Sequence, residues 1–261
     1  MQRHPFHLVD PSPWPLTTSI GIWGFTTGLV GWFHGYEYAD YLALISFVSL
    51  IYVAIVWWRD VVRESLYQGH HTKAVQTGIT YGMILFIVSE VMLFFGLFWA
   101  FGHSALAPTI DLAGVWPPRG IEVLDPFGIP FLNTLLLLTS GASVTWAHYA
   151  ILVGHIQQTV ISLGLTILLA AIFTGFQAYE YVTAGFTISD SVYGSTFYML
   201  TGLHGAHVFV GTVFLTVCLL RSIRGELRPD HHLGFELAAM YWHFVDVVWL
   251  LVFIVVYYWG S

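Results

Sequence analysis

Seven apolar segments, each about as long as a membrane crossing, leave this chain little freedom of fold. They run Leu16 to Phe33, Leu42 to Trp58, Ile79 to Phe101, Ile129 to Leu152, Val160 to Val182, Val192 to Leu220 and Leu237 to Trp259. A bilayer's hydrocarbon core is about 30 Å thick and takes roughly 20 apolar residues of helix to cross. Backbone polar groups in lipid must be satisfied internally, so only helices or closed barrels span, and these runs lack the alternation of a barrel strand. The chain is therefore expected to be all-α, a polytopic membrane protein with seven transmembrane helices. With 57% hydrophobic and 9% charged residues, a soluble globular domain is excluded. The seven crossings use up most of the 261 residues, so residues 1–261 are expected to form one membrane domain. Asp40, Asp190 and Ser191 stand near segment starts, and Pro108, Pro117, Pro118, Pro126 and Pro229 fall between segments.

Lys and Arg near short loops favour the side from which a membrane protein is inserted. With seven crossings, Arg3, Arg59, Arg63, Lys73, Arg221, Arg224 and Arg228 fall on one face and Arg119 on the other, seven against one among the eight cations. This places the N-terminus inside and the C-terminus outside. A net charge of −7 offers no footprint for nucleic acid. The single cysteine, Cys218, is read as a buried thiol without an intrachain disulfide. Trp57, Trp58, Trp99, Trp116, Trp242, Trp249 and Trp259 lie mostly toward segment ends and suggest interfacial aromatic belts.

Polar groups inside the apolar segments are the functional candidates. Glu90 lies near the middle of the third segment, where a carboxylate has no water to solvate it. Such groups usually face a protein interior, a partner or a water-filled path. A lone carboxyl group there is expected to tend to its neutral form, with a partner on another helix, a lipid or water. Glu90 is the only acid deep in its segment, whereas a through-membrane relay needs several titratable groups along one path. Glu180 and Asp246 are read as lying nearer to ends or interfaces. His204 and His207 are three apart, as are His243 and Asp246, so each pair shares a helix face. Two facing helices could thus supply imidazoles to a haem or metal, with Asp246 orienting His243. The commoner role of such residues in a membrane bundle is as interhelical hydrogen-bond partners. The adjacent pairs His70, His71 and His231, His232 point about 100 degrees apart on a helix and are read as surface groups. Gly202, Gly205 and Gly211 suggest close helix packing along the sixth segment. Trp57 and Trp58 beside Arg59 and Arg63 could hold a lipid phosphate, unless those arginines pair with Asp60 and Glu64.

The ordered set HPFHLVDPSPWPLT, WWRDVVRES, QGHHTKAVQ, YGMILFIVSEVMLFFGLFWAF, LNTLLLLTSGASVTWAH, FTISDSVYGSTFY, TGLHGAHVFVG and YWHFVDVVWLLVFIVVYYWGS covers nearly the whole chain. Together these segments resemble cytochrome c oxidase subunit III, and the compact length is more like the mitochondrial members than the bacterial ones. The resemblance implies a subunit without a redox centre or catalytic residue of its own. Haem and copper reside in the partner subunits I and II, and the complex oxidises cytochrome c, reduces oxygen to water and pumps protons. It further implies packing against subunit I, with subunit II and accessory subunits in the same complex. Helices 1 and 2 are expected to diverge from helices 3 to 7 around a phospholipid-filled cleft, with Trp58, Arg63, Phe86, Glu90 and Arg221 in or near it. His204, His207, His243 and Asp246 then become structural polar groups, no metal site is expected, and His4 and His7 are candidates for buffering protons near an uptake entrance. The expected location is the mitochondrial inner membrane, N-terminus in the matrix and C-terminus in the intermembrane space, with the bacterial plasma membrane as the alternative.

Overall fold

The computed structural model describes residues 4–261; Arg3, one of the counted cations, lies outside the described residues. Seven helices follow one another: α1 (Trp14–Phe33), α2 (Ala39–Leu66), α3 (Lys73–Leu106), α4 (Ile129–Val153), α5 (Ile156–Thr183), α6 (Ser191–Ile223) and α7 (Leu233–Val252), with a short 3-10 turn at Ile110–Leu112 and a π-helical turn at Phe253–Tyr258. All except α1 are long and apolar enough to cross a membrane, α7 being counted together with its π-helical turn. At about 1.5 Å per residue, the 20 residues of α1 still reach about 30 Å. Its lower hydropathy follows from Thr17, Thr18, Ser19, Thr26 and Thr27. The hydroxyls of Thr17, Ser19 and Thr26 bond to carbonyls one turn back, which leaves little for lipid to desolvate.

The helices overrun the apolar segments. α2 continues to Leu66, so Arg59 and Arg63 ride on its last turns rather than in a loop, and α3 begins at Lys73, six residues before the apolar run. An apolar run measures hydrocarbon thickness, whereas a helix stops only where its backbone bonding is broken. At the end of α4 that break is Gly154, whose φ of +80° is a left-handed conformation suited to glycine.

The chain divides into two compact units, Met1–Ile79 and Thr80–Ser261. In the first, α1 packs along α2. Gly21, Gly24, Gly28 and Gly31 of α1 face Leu50, Ser46, Ala43 and Ala39 of α2, and a methyl group on Gly28 would lie 2.5 Å from the Ala43 amide nitrogen. Without a hydrophobic force between helices in lipid, such small residues allow the close backbone approach that dispersion requires.

The core of the second unit is built on α7, which packs against α4 and α6. Trp242 and Trp249 are buried here, not in an aromatic belt: each indole N–H donates to α4, Trp242 to Ser140 Oγ at 2.9 Å and Trp249 to Thr134 Oγ1 at 3.0 Å. An indole can enter such a core because its one polar group finds a partner there. Of Gly202, Gly205 and Gly211, Gly211 meets the close-packing expectation, since an added Cβ would come within 2.8 Å of the Trp242 ring; Gly205 faces open space. Cys218 is buried, as expected. α3 buries only Phe94 and Phe101. Large exposed apolar side chains are found on every helix, as suits lipid-facing surfaces.

Candidate functional site

Glu90 on α3 meets His207 on α6, Oε2 to Nε2, at 3.0 Å. Both side chains are largely enclosed, 19% and 12% exposed. Phe94, one turn along α3, sets its ring edge-on against the imidazole at 5.0 Å, while Tyr241 of α7 stacks on it at 6.3 Å. Phe86, one turn before Glu90, stacks against Tyr241 at 6.4 Å. The partner from another helix is thus present, its imidazole caged by aromatic rings.

The hydrogen bonds set the fewest protons this pair needs. His207 Nδ1 is 2.8 Å from the Leu203 carbonyl, which can only accept, so Nδ1 carries a hydrogen. The Nε2 contact with Glu90 then needs one more proton, either on the carboxyl group as a donor to Nε2 or on Nε2 as a donor to the carboxylate. Both arrangements have zero net charge. On the Nδ1 side the chain of bonds ends at a backbone carbonyl, which passes no proton onward.

His204 faces elsewhere. Its Nε2–H donates to the Val245 carbonyl on α7 at 3.2 Å, with its ring against Trp249 and Phe173. His243 is half-exposed, with Nδ1 3.8 Å from Asp246 Oδ2 and Nε2 3.4 Å from Thr145 Oγ1 of α4. Asp246 lies against Gly141, where a Cβ would come within 2.5 Å of its carboxylate. The three histidines thus engage three separate partners.

A second intramembrane carboxyl group is more deeply enclosed than its sequence position near the end of α5 suggests. Glu180 is 2% exposed. Tyr257, in the π-helical turn, donates its hydroxyl to Oε1 at 2.5 Å, and the Gln177 amide approaches the same oxygen at 3.3 Å. Asn133 of α4 in turn donates to Gln177 at 3.4 Å. Periodicity gives no sign of this network, because its four members come from three distant parts of the chain.

In the first unit, Trp58 is exposed at 67% and Arg63 is exposed on the same helix. Arg59 pairs with Asp60 at 2.9 Å, and the Trp14 indole donates to the other Asp60 oxygen at 2.9 Å. His7 stacks flat on His70 at 4.7 Å, and its ring nitrogen gathers with Glu64 and His71 within 4.8 Å of one another. His4 is exposed and stacks on Phe6. In the second unit, Arg221 donates from Nε to Glu226 at 3.1 Å, so part of its guanidinium is already engaged.

The family model for cytochrome c oxidase subunit III matches residues 4–261. Cytochrome c oxidase subunit 3 of Prototheca wickerhamii is 62% identical over 261 residues, covering 100% of both chains. That of Marchantia polymorpha is 59% identical over 260 residues, covering 100% of this chain and 98% of its own, and that of Danio rerio is 55% identical over 260 residues, covering 100% and 99%. The chain belongs to the cytochrome c oxidase subunit III family. It is therefore a membrane-embedded subunit of a respiratory-chain terminal oxidase, working in a complex with other oxidase subunits. Membership of this family implies haem and copper in partner subunits of the complex.

Proposed function

We propose that this subunit supports the oxidase without carrying protons or electrons along a path of its own. It stabilises the catalytic core formed with subunits I and II, holds phospholipids through Trp58, Arg63, Phe86 and Arg221, and helps keep proton uptake into subunit I fast, with His4 and His7 buffering protons near its entrance. The whole chain acts as one membrane domain of the mitochondrial inner membrane, with its N-terminus in the matrix and its C-terminus in the intermembrane space.

The observation that carries this reading is that the hydrogen-bond chain from Glu90 through His207 ends at the Leu203 carbonyl. A relay must hand its proton to another titratable group. Here the imidazole's second nitrogen is spent on the Leu203 carbonyl. The lipid role draws support from the exposure of Trp58 and Arg63 on one helix, an amphipathic ring and a guanidinium that suit a phosphate headgroup.

The test is proton pumping by the oxidase complex carrying Glu90→Gln, reconstituted in vesicles. A glutamine can donate from its amide to the same Nε2, so the cage keeps its hydrogen bond. Pumping stoichiometry at the level of the unaltered complex is expected, and complete loss of pumping in a normally assembled complex would overturn the proposal.

A further inference from the structure

His232 was expected at the surface, as one of two adjacent loop histidines. Instead its side chain is 6% exposed at the start of α7. Its Nδ1 is 2.9 Å from the Arg228 carbonyl, which must accept, so that nitrogen carries the hydrogen and Nε2 presents its lone pair. Nε2 has no hydrogen-bond partner although it is buried. What it faces is Glu236 Oε1, at 3.1 Å, one helical turn along α7. The two atoms are close but not aligned for a hydrogen bond, and both offer lone pairs. A third donor comes from α4: His148, whose ring lies 5.8 Å from that of His232 at 62°. The ligand atoms of His148, His232 and Glu236 all lie within 4.8 Å of one another.

Three lone-pair donors gathered this closely, one of them buried without a hydrogen-bond partner, repel each other unless a proton or a metal ion stands between them. We propose that His148, His232 and Glu236 form a binding site for a divalent metal ion of the zinc class. Zinc takes imidazole nitrogen at about 2.0–2.1 Å and carboxylate oxygen at about 2.0–2.2 Å, with ligand atoms a little over 3 Å apart around a tetrahedron. The 3.1 Å between His232 and Glu236 fits that spacing. Metal-bound histidines usually donate their second ring N–H to a carbonyl or carboxylate, which fixes the tautomer, and Arg228 fills that role for His232. Two imidazoles and one carboxylate suit zinc better than magnesium or calcium, which prefer all-oxygen shells. Three protein ligands leave a fourth position for water, and Glu236, 44% exposed, puts solvent within reach of it. An ion here would tie α4 to the start of α7, clear of the membrane-buried Glu90 cage.

The probe is zinc chloride alone, added to the purified oxidase complex after chelator treatment, with bound zinc counted per haem. The unaltered complex should bind one more zinc per copy of this chain than the complex carrying His148→Ala. Glu236→Gln changes a partly exposed side chain and should leave assembly intact while weakening zinc at this site about 10-fold or more. Anomalous diffraction at the zinc edge should place the ion among the three side chains. Equal zinc content and affinity in the unaltered complex and both variants would overturn the proposal, as would a zinc-soaked structure with no anomalous peak at this position.

Discussion

Glu90 and Glu180 are both carboxyl groups within membrane-spanning helices, yet their surroundings differ in kind. Glu90 meets a base. Its partner, His207, can exchange a proton with it, and the pair keeps zero net charge either way. Glu180 meets a phenol and an amide, neither a base at ordinary pH, in a place from which solvent is almost absent. The first arrangement tolerates a shift of its proton; the second is a packed joint between α5 and the π-helical turn after α7. A carboxyl group in the wrong solvent is thus not one functional category, and its partner decides what it does.

The largest effect should come from Glu180→Ala. It leaves the Tyr257 hydroxyl and the Gln177 amide buried without their acceptor, each worth about 1–3 kcal/mol. A total loss of about 2–6 kcal/mol should appear as a marked fall in the thermal stability of this chain within the complex. Tyr257→Phe removes only the donor while Gln177 keeps its contact with Glu180, so about 1–2 kcal/mol is expected in the same measurement. Glu90→Gln should change stability by less than about 0.5 kcal/mol, because the largely enclosed pair keeps a donor opposite His207. If Glu90→Gln destabilised as much as Glu180→Ala, the contrast between cage and joint would collapse.

The membrane helices were legible because solvent choice alone demands long apolar runs. Their ends were not, since α2 and α3 carry their helical bonding into charged flanks such as Arg59, Arg63 and Lys73. The Glu90 partner was hidden by spacing. His204 and His207 are three apart, yet residues at that spacing diverge by about 60 degrees, enough to send His204 to α7 and His207 to α3. The glycine stripe of α1 had a signal that could have been found, small residues at Gly21, Gly24, Gly28 and Gly31, one turn apart. Nothing comparable marked His7 beside His71, or His148 beside His232. Those contacts join segments more than sixty residues apart, and each adjacent histidine pair makes a poor chelate by itself because the remaining ligands come from elsewhere.

The central claim, that Glu90 is coupled to a histidine and Glu180 is not, is most directly tested by infrared difference spectroscopy of the oxidase with and without ring-15N histidine. Subtracting the Glu90→Gln complex from the unaltered one should reveal imidazole bands that move on labelling, whereas the Glu180→Gln subtraction should reveal none. A Glu90→Gln difference spectrum with no label-sensitive band would contradict the account.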